Sequence, residues 1–185
     1  RHDMRHHFLI LDRYLEDGMI EEAKGYIAKY YNAIPYEESL THCHHYGTNA
    51  LLTYFTELAG QHQIPYEIRV DFPERLPVSD EDLTVVLGNL LENAMDACRE
   101  AVNEEPDFKP YIKIAGNFDG QMILIAVENS ALHEAKMDKK QRYLSTKHKG
   151  HGIGIDSIRT AAEKNNGFLK IEQVKGKFIA NVMMM

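Results

Sequence analysis

The sequence predicts an α+β protein, a helical hairpin followed by a two-layer α/β sandwich on a mixed sheet. Three observations carry that expectation. Apolar residues in the first part keep helical spacing, with Met4, Phe8, Leu11 and Leu15 in one series and Ile20, Ala23, Ile27, Tyr30 and Ile34 in another. From Ile64 the period changes to alternation, Ile64, Tyr66, Ile68 and Val70, which reads as a strand with one buried face. From Leu83 onward Leu87, Leu90, Ala94 and Ala101 form the apolar stripe of a long helix. Strands with helices between them in this order give a mixed sheet with helices on one face.

The elements follow in order. The two N-terminal series have the spacing of coiled-coil seams and are separated by Glu16-Asp17-Gly18. Two short helices hide both stripes poorly, so a four-helix bundle from two chains, a homodimer, is expected. Pro35 interrupts the second helix. Helical spacing resumes at Leu51, Phe55, Leu58 and His62, and this third helix is assigned to the same layer, giving a helical domain over 1–62 and a sandwich over 63–185. His42-Cys43-His44-His45 is histidine-rich, but a contiguous run points its side chains in several directions, unlike the spaced ligand pairs of structural zinc sites. Ser79 or Asp80 is the expected cap of the long helix, and Asn103-Glu104-Glu105-Pro106 ends it. Ile112 and Ile114 mark a strand, Asn117-Phe118-Asp119-Gly120 a hairpin turn, and Met122 to Val127 a central strand. Phe168 to Ile171 and Phe178 to Val182, joined around Lys175-Gly176-Lys177, form a last hairpin.

Composition narrows the function classes. The 185 residues have room for one medium domain and something small, and the apolar fraction of 44% suits a globular protein without a bilayer-length run. No secretory signal is visible, and Arg1 falls inside a helical pattern, so the chain reads as a fragment. A net charge of -7 argues against nucleic acid as a partner, since that binding needs a basic surface. Cys43 and Cys98 have no metal-like spacing and indicate a reducing, cytoplasmic setting.

Three stretches carry chemistry. On the long helix Asn89, Asn93 and Asp96 run beside the apolar stripe, with Glu92 adjacent, and polar groups so close to a core need partners. Later comes Gly150-His151-Gly152-Ile153-Gly154, opening a helix pattern at Ile155, Ile158 and Ala162. Such glycines let backbone approach a ligand closely, and a new helix offers unpaired N–H groups to an anion. The preceding loop, Leu132 to Lys149, concentrates Lys136, Lys139, Lys140, Arg142, Lys147 and Lys149 in an acidic protein. At the start, His2 lies outside the seam with Asp3 beside it and His6 one turn along. An exposed neutral imidazole is a nucleophile, and a neighbouring carboxylate can take its other proton.

NLLENA followed by GHGIGI resembles the N box and G2 box of the GHKL nucleotide-binding (Bergerat) fold of sensor histidine kinases, type II topoisomerases and mismatch-repair ATPases, over roughly Ile64 to the C-terminus. Arg1-His2-Asp3-Met4-Arg5 resembles the H box of histidine kinases. With TNALLTYFTELAGQHQIPYEIRV and Ser145-Thr146-Lys147, the chain is similar to peptide quorum-sensing kinases and their Spo0B-like relatives. The resemblance implies ATP and Mg2+ as cofactors, Asn93 as the magnesium ligand, and Asn89 in support on the phosphate side. It implies phosphate contacts from Ser145, Thr146, Lys147, Gly150, His151, Gly152, Ile153 and Gly154, with the basic loop as a mobile lid. It implies His2 as phosphoacceptor, Asp3 as base, and His6 at a position linked to phosphatase activity. A response regulator would receive the phosphoryl group, and membrane contact would come only through a missing N-terminal sensor region. Where the family has Asp-x-Gly-x-Gly, this chain has Val127-Glu128-Asn129-Ser130-Ala131. Glu128 is in register with the aspartate and Asn129 is one place on; an oxygen of either can accept from an adenine amine. ATP-hydrolysing relatives carry a water-activating glutamate where this chain has Asn89, which favours kinase over ATPase. The alternatives are a Spo0B-like phosphotransferase or scaffold with a degenerate nucleotide site, and another GHKL ATPase or serine kinase.

Overall fold

The computed structural model describes residues 2–28, 42–133, 153–174 and 176–185, with side chains from 7 onward and excluding 28 and 153. Contacts divide the chain into Arg1–Ser39 and Leu40–Met185. The first unit holds α1 (His2–Glu16) and α2 (Ile20–Ala28), joined through Gly18, whose φ of 70 suits glycine. His7 Nδ1 and Tyr26 Oη lie 2.8 Å apart, and the Tyr14 ring packs on Tyr26. Ala23 is buried between the helices. The residues turned inward are therefore His7, Leu11, Tyr14, Ala23 and Tyr26. Phe8 (62% exposed), Leu15, Ile20 and Ile27, all of the expected seam, face outward in the single chain.

The second unit contains α3 (Tyr46–Gln61), β1 (Tyr66–Asp71), α4 (Asp80–Glu104), β2 (Ile112–Phe118), β3 (Ile123–Ser130), α5 (Ile153–Lys164), β4 (Phe168–Val174) and β5 (Lys177–Met184). The five strands form one sheet in the order β1-β2-β3-β5-β4, parallel between β1 and β2 and antiparallel elsewhere. This is the expected mixed sheet. Alternation puts Ile112, Ile114, Ile123, Ile125 and Val127 on the buried face, where they meet Leu83, Val86, Leu87, Leu90, Leu91 and Ala94 of α4. Among the described residues no helix is long and apolar enough to cross a membrane.

The domain boundary lies at 39/40 instead of 62/63. Helix α3 buries Leu52, Phe55 and Ala59 in the core that α4 and the sheet share. Its apolar stripe says only that one face is covered, and the cover is the sandwich. The start of α3 explains the histidine run: His45 caps the helix, its Nδ1 accepting from the Thr48 N–H at 3.3 Å while Nε2 lies 3.3 Å from Asp80. At α4 the cap is Ser79, whose Oγ accepts from the Asp82 N–H at 3.2 Å, with Asp80, Glu81 and Asp82 suited to the positive helix end. The turn between β2 and β3 forms where expected: Asp119 Oδ1 accepts from the N–H groups of Gln121 and Met122, and Gly120 supplies a φ of 98.

Candidate functional site

Helix α4 presents Asn89 and Asn93 one turn apart, and the start of α5 lies directly over them. A Cβ added at Gly154 would sit 2.9 Å from Asn89 Oδ1 and 3.6 Å from Asn93 Nδ2. Gly154 has no unusual backbone angle, so its glycine is required by this close approach and not by a turn. Asn89 donates its Nδ2 proton to the Val85 carbonyl at 2.7 Å, one turn back. That bond fixes the amide orientation and leaves Oδ1 facing the first turn of α5. First-turn N–H groups of a helix have no intrahelical acceptors. The amide row and the glycine-bearing helix start, far apart in sequence, are therefore one place in the fold.

Beside it, Leu90, Asn93, Val127, Asn129, Ile155, Ile158 and Phe178 line a cavity of about 10 Å3, room for one water and not for a purine. Asn129 is 2% exposed and donates its Nδ2 proton to the Ser130 carbonyl at 2.9 Å. One residue earlier the strand period turns Glu128 to the other face of the sheet. There it accepts from Tyr111 Oη at 2.8 Å and from Lys177 Nζ at 3.2 Å. The Tyr111 hydrogen bond, with Lys177 assisting, holds the Glu128 carboxyl below its ordinary range against a smaller opposing effect of burial. Burial, and then Glu128 itself, pushes the Tyr111 phenol up. Of the two candidate acceptors, then, the fold brings Asn129 to Asn93 and keeps Glu128 away.

Ser130 is a structural clip. Its Oγ accepts from the Tyr111 N–H at 3.0 Å and lies 3.6 Å from Cys98 Sγ, joining the end of β3 to α4 and to the start of β2. Burial raises the Cys98 thiol, which is consistent with an inert packed side chain. A second link escaped the sequence reading. Asp82, 8% exposed, accepts from Lys164 Nζ and from Asn165 Nδ2, tying the start of α4 to the end of α5. The signal was present: Asp82 continues the line of Asn89, Asn93 and Asp96 one heptad back.

The backbone of α1 carries His2, Asp3 and His6 as helical residues, but their side chains lie outside the described residues. So do Ser145, Thr146, Lys147, Gly150, His151 and Gly152, together with the side chain of Ile153.

Comparison with known proteins places this geometry. A family profile described as "GHKL domain" matches residues 79–185. No curated protein matches the chain significantly. Among solved structures, the catalytic domain of histidine kinase ThkA in a nucleotide-free form superposes with a TM-score of 0.56 at 19% identity, covering 75% of this chain and 93% of that one. The mycobacterial sensor histidine kinase MprB gives 0.53 at 13% identity, covering 74% and 93%. The Acinetobacter baumannii histidine kinase AdeS gives 0.54 at 14% identity, covering 100% and 97%. At these identities the likeness is one of fold. The sandwich, the amide row under the start of α5 and the match over more than half of the sequence agree: the chain belongs to the GHKL domain family.

Proposed function

We propose that the chain is the kinase core of a two-component sensor histidine kinase, of the peptide quorum-sensing and Spo0B-like subgroup. It would use Mg-ATP to phosphorylate its own His2 and then pass the phosphoryl group to an aspartate of a response regulator. The observation that carries the reading is Gly154: a side chain there would fill the space between α5 and the Asn89–Asn93 row. A cradle that a single Cβ would occupy, in a GHKL domain, fits a phosphate chain held by backbone N–H groups. When bound, Mg2+ with ATP supplies a phosphoryl donor whose charge is partly neutralised.

The chain's own residues then have separate tasks. The Asn93 amide offers a neutral oxygen for the metal, and Asn89, tied back to Val85, keeps a fixed oxygen on the phosphate side. Gly152, Gly154 and the first turn of α5 receive the phosphates, with Gly150, His151 and Ile153 shaping the turn. Ser145, Thr146 and Lys147 close over them as part of the lid. Asn129 accepts from the adenine amine, because its Nδ2 is occupied by Ser130 and its oxygen is the group left over. Asn89 cannot serve as a base for water, which supports transfer over hydrolysis. The nucleophile is His2, with Asp3 taking the imidazole proton and His6 acting in the reverse, dephosphorylating direction. The outward Phe8, Leu15, Ile20 and Ile27 support a homodimeric helical bundle around those histidines.

The cavity beside Asn129 supports a second reading. At about 10 Å3 it must open before a purine enters, as in a Spo0B-like scaffold whose nucleotide site has degenerated. Incubation with labelled ATP and magnesium tests the kinase. The expected product is an acid-labile, base-stable phosphoprotein that His2→Gln abolishes and Asn93→Ala reduces. Label surviving in the His2 variant moves the acceptor to His6 or His7. No label, with no binding of an ATP analogue at millimolar concentration, supports the scaffold.

A further inference from the structure

Helix α5 packs against α4 and buries Ile158, Ala161 and Ala162. Apolar contact of this kind is non-directional, and small side chains present a smooth surface. It fixes how far apart the helices are but not how far one has slid along the other. Directional bonds are needed for that, and they sit at one end of the pair. Asp82 Oδ1 accepts from Lys164 Nζ at 3.0 Å, and Oδ2 accepts from Asn165 Nδ2 at 3.0 Å. Asn165 is itself held, since its Nδ2 also donates to the Ala161 carbonyl at 2.8 Å and its carbonyl accepts from the Met185 N–H at 2.8 Å. The carboxylate therefore joins the start of α4 to the end of α5, and through Asn165 to the end of β5.

The amide row lies at the other end of the same pair. Seven residues separate Asp82 from Asn89 and ten separate Gly154 from Lys164, about 10 Å and 15 Å of helix respectively. The helices run antiparallel, so whatever fixes Lys164 on Asp82 also fixes Gly154 on Asn89. The clearance there is small, because a Cβ on Gly154 would already lie 2.9 Å from Asn89 Oδ1.

We propose that Asp82 is a positioning residue: through Lys164 and Asn165 it sets the register of α5 along α4 and so holds the first turn of α5 against Asn89 and Asn93. Its consequence for ligand affinity rests on the nucleotide reading of that row. Hydrogen bonds from Asn165 and then Lys164 hold the Asp82 carboxyl below its ordinary range, so the clamp is ionised at neutral pH.

The test uses the whole chain and three variants: Asp82→Asn, Lys164→Met, and the exchanged pair Asp82→Lys with Lys164→Asp. Mg-ATP affinity is measured by calorimetry below each melting temperature, and amide hydrogen exchange of residues 154–157 is measured without nucleotide. Asp82→Asn is expected to weaken Mg-ATP about tenfold or more and to speed exchange in the first turn of α5, as displacement from a distant contact does. Lys164→Met should lose less, since Asn165 still holds the carboxylate, and the exchanged pair should recover most of the affinity. A folded Asp82→Asn chain that melts lower yet binds like the parent overturns the proposal. If Asp82→Asn fails to fold, Lys164→Met and the exchanged pair decide, and parental affinity in Lys164→Met with no recovery in the pair overturns it. If the parent does not bind Mg-ATP, the nucleotide reading falls, and unchanged exchange in the variants would then overturn the clamp by itself.

Discussion

At the scale of single residues, Gly154 and Asn129 do what no neighbour can. Gly154→Ala puts a methyl group within 2.9 Å of Asn89 Oδ1, so the helix start must lift or the amide must turn. Calorimetry should show Mg-ATP affinity falling about tenfold or more while the melting temperature changes little, because alanine favours the helix that the clash opposes. Asn129→Leu should weaken binding by roughly five- to thirtyfold, the worth of one hydrogen bond and its unpaired partner, whereas Glu128→Gln should leave affinity near that of the parent. The sequence left Glu128 and Asn129 open because family register favours one and side-chain chemistry allows both. Strand alternation decides between them, and it depends on which residue of β3 first faces α4. Asp82 also sets a pH dependence. Its folded pKa is depressed, so its contribution is present above the unfolded value and is lost as pH falls through the folded one. Thermal melts from neutral pH into the acid range should lose more stability in the parent than in Asp82→Asn.

Individual elements are held by contacts of very different tolerance. Helix α4 was legible almost whole, because its apolar period, its Ser79 cap and Pro106 beyond its end are all local signals. Its centre is also where truncation costs most: Leu91 is fully buried, and Leu91→Ala should lose roughly 2–5 kcal/mol in denaturant unfolding. The turn from α5 to β4 is tighter still. A Cβ on Gly167 would run into the Met183 carbonyl of β5, which is backbone and cannot rotate away. Gly167→Ala should therefore cost at least about 2 kcal/mol, more than overpacking a flexible core. That requirement was invisible in the sequence, where Asn165-Asn166-Gly167 reads as an ordinary helix end. Helix α3 was misassigned for a related reason, since periodicity names the buried face but not the element that covers it. The Asp82–Lys164–Asn165 clamp joins residues too far apart for any local pattern to announce.

For the molecule as a whole, the two units have separate surfaces and separate tests. The α1–α2 pair leaves Phe8, Leu15, Ile20 and Ile27 exposed, and sedimentation of the whole chain should show a dimer that Phe8→Glu dissociates. The second unit carries the amide row, the start of α5 and Asn129, so residues 40–185 alone should fold and retain nucleotide affinity without the helices that bear His2. The central claim concerns the space that Gly154 leaves over Asn89 and Asn93, and one titration tests it most directly: Mg-ATP into the whole chain, followed by calorimetry, with Asn93→Ala beside it. The expected result is saturable one-to-one binding that Asn93→Ala weakens and that vanishes when magnesium is chelated. Absence of binding up to millimolar Mg-ATP in the folded parent, or equal binding by Asn93→Ala, would contradict it.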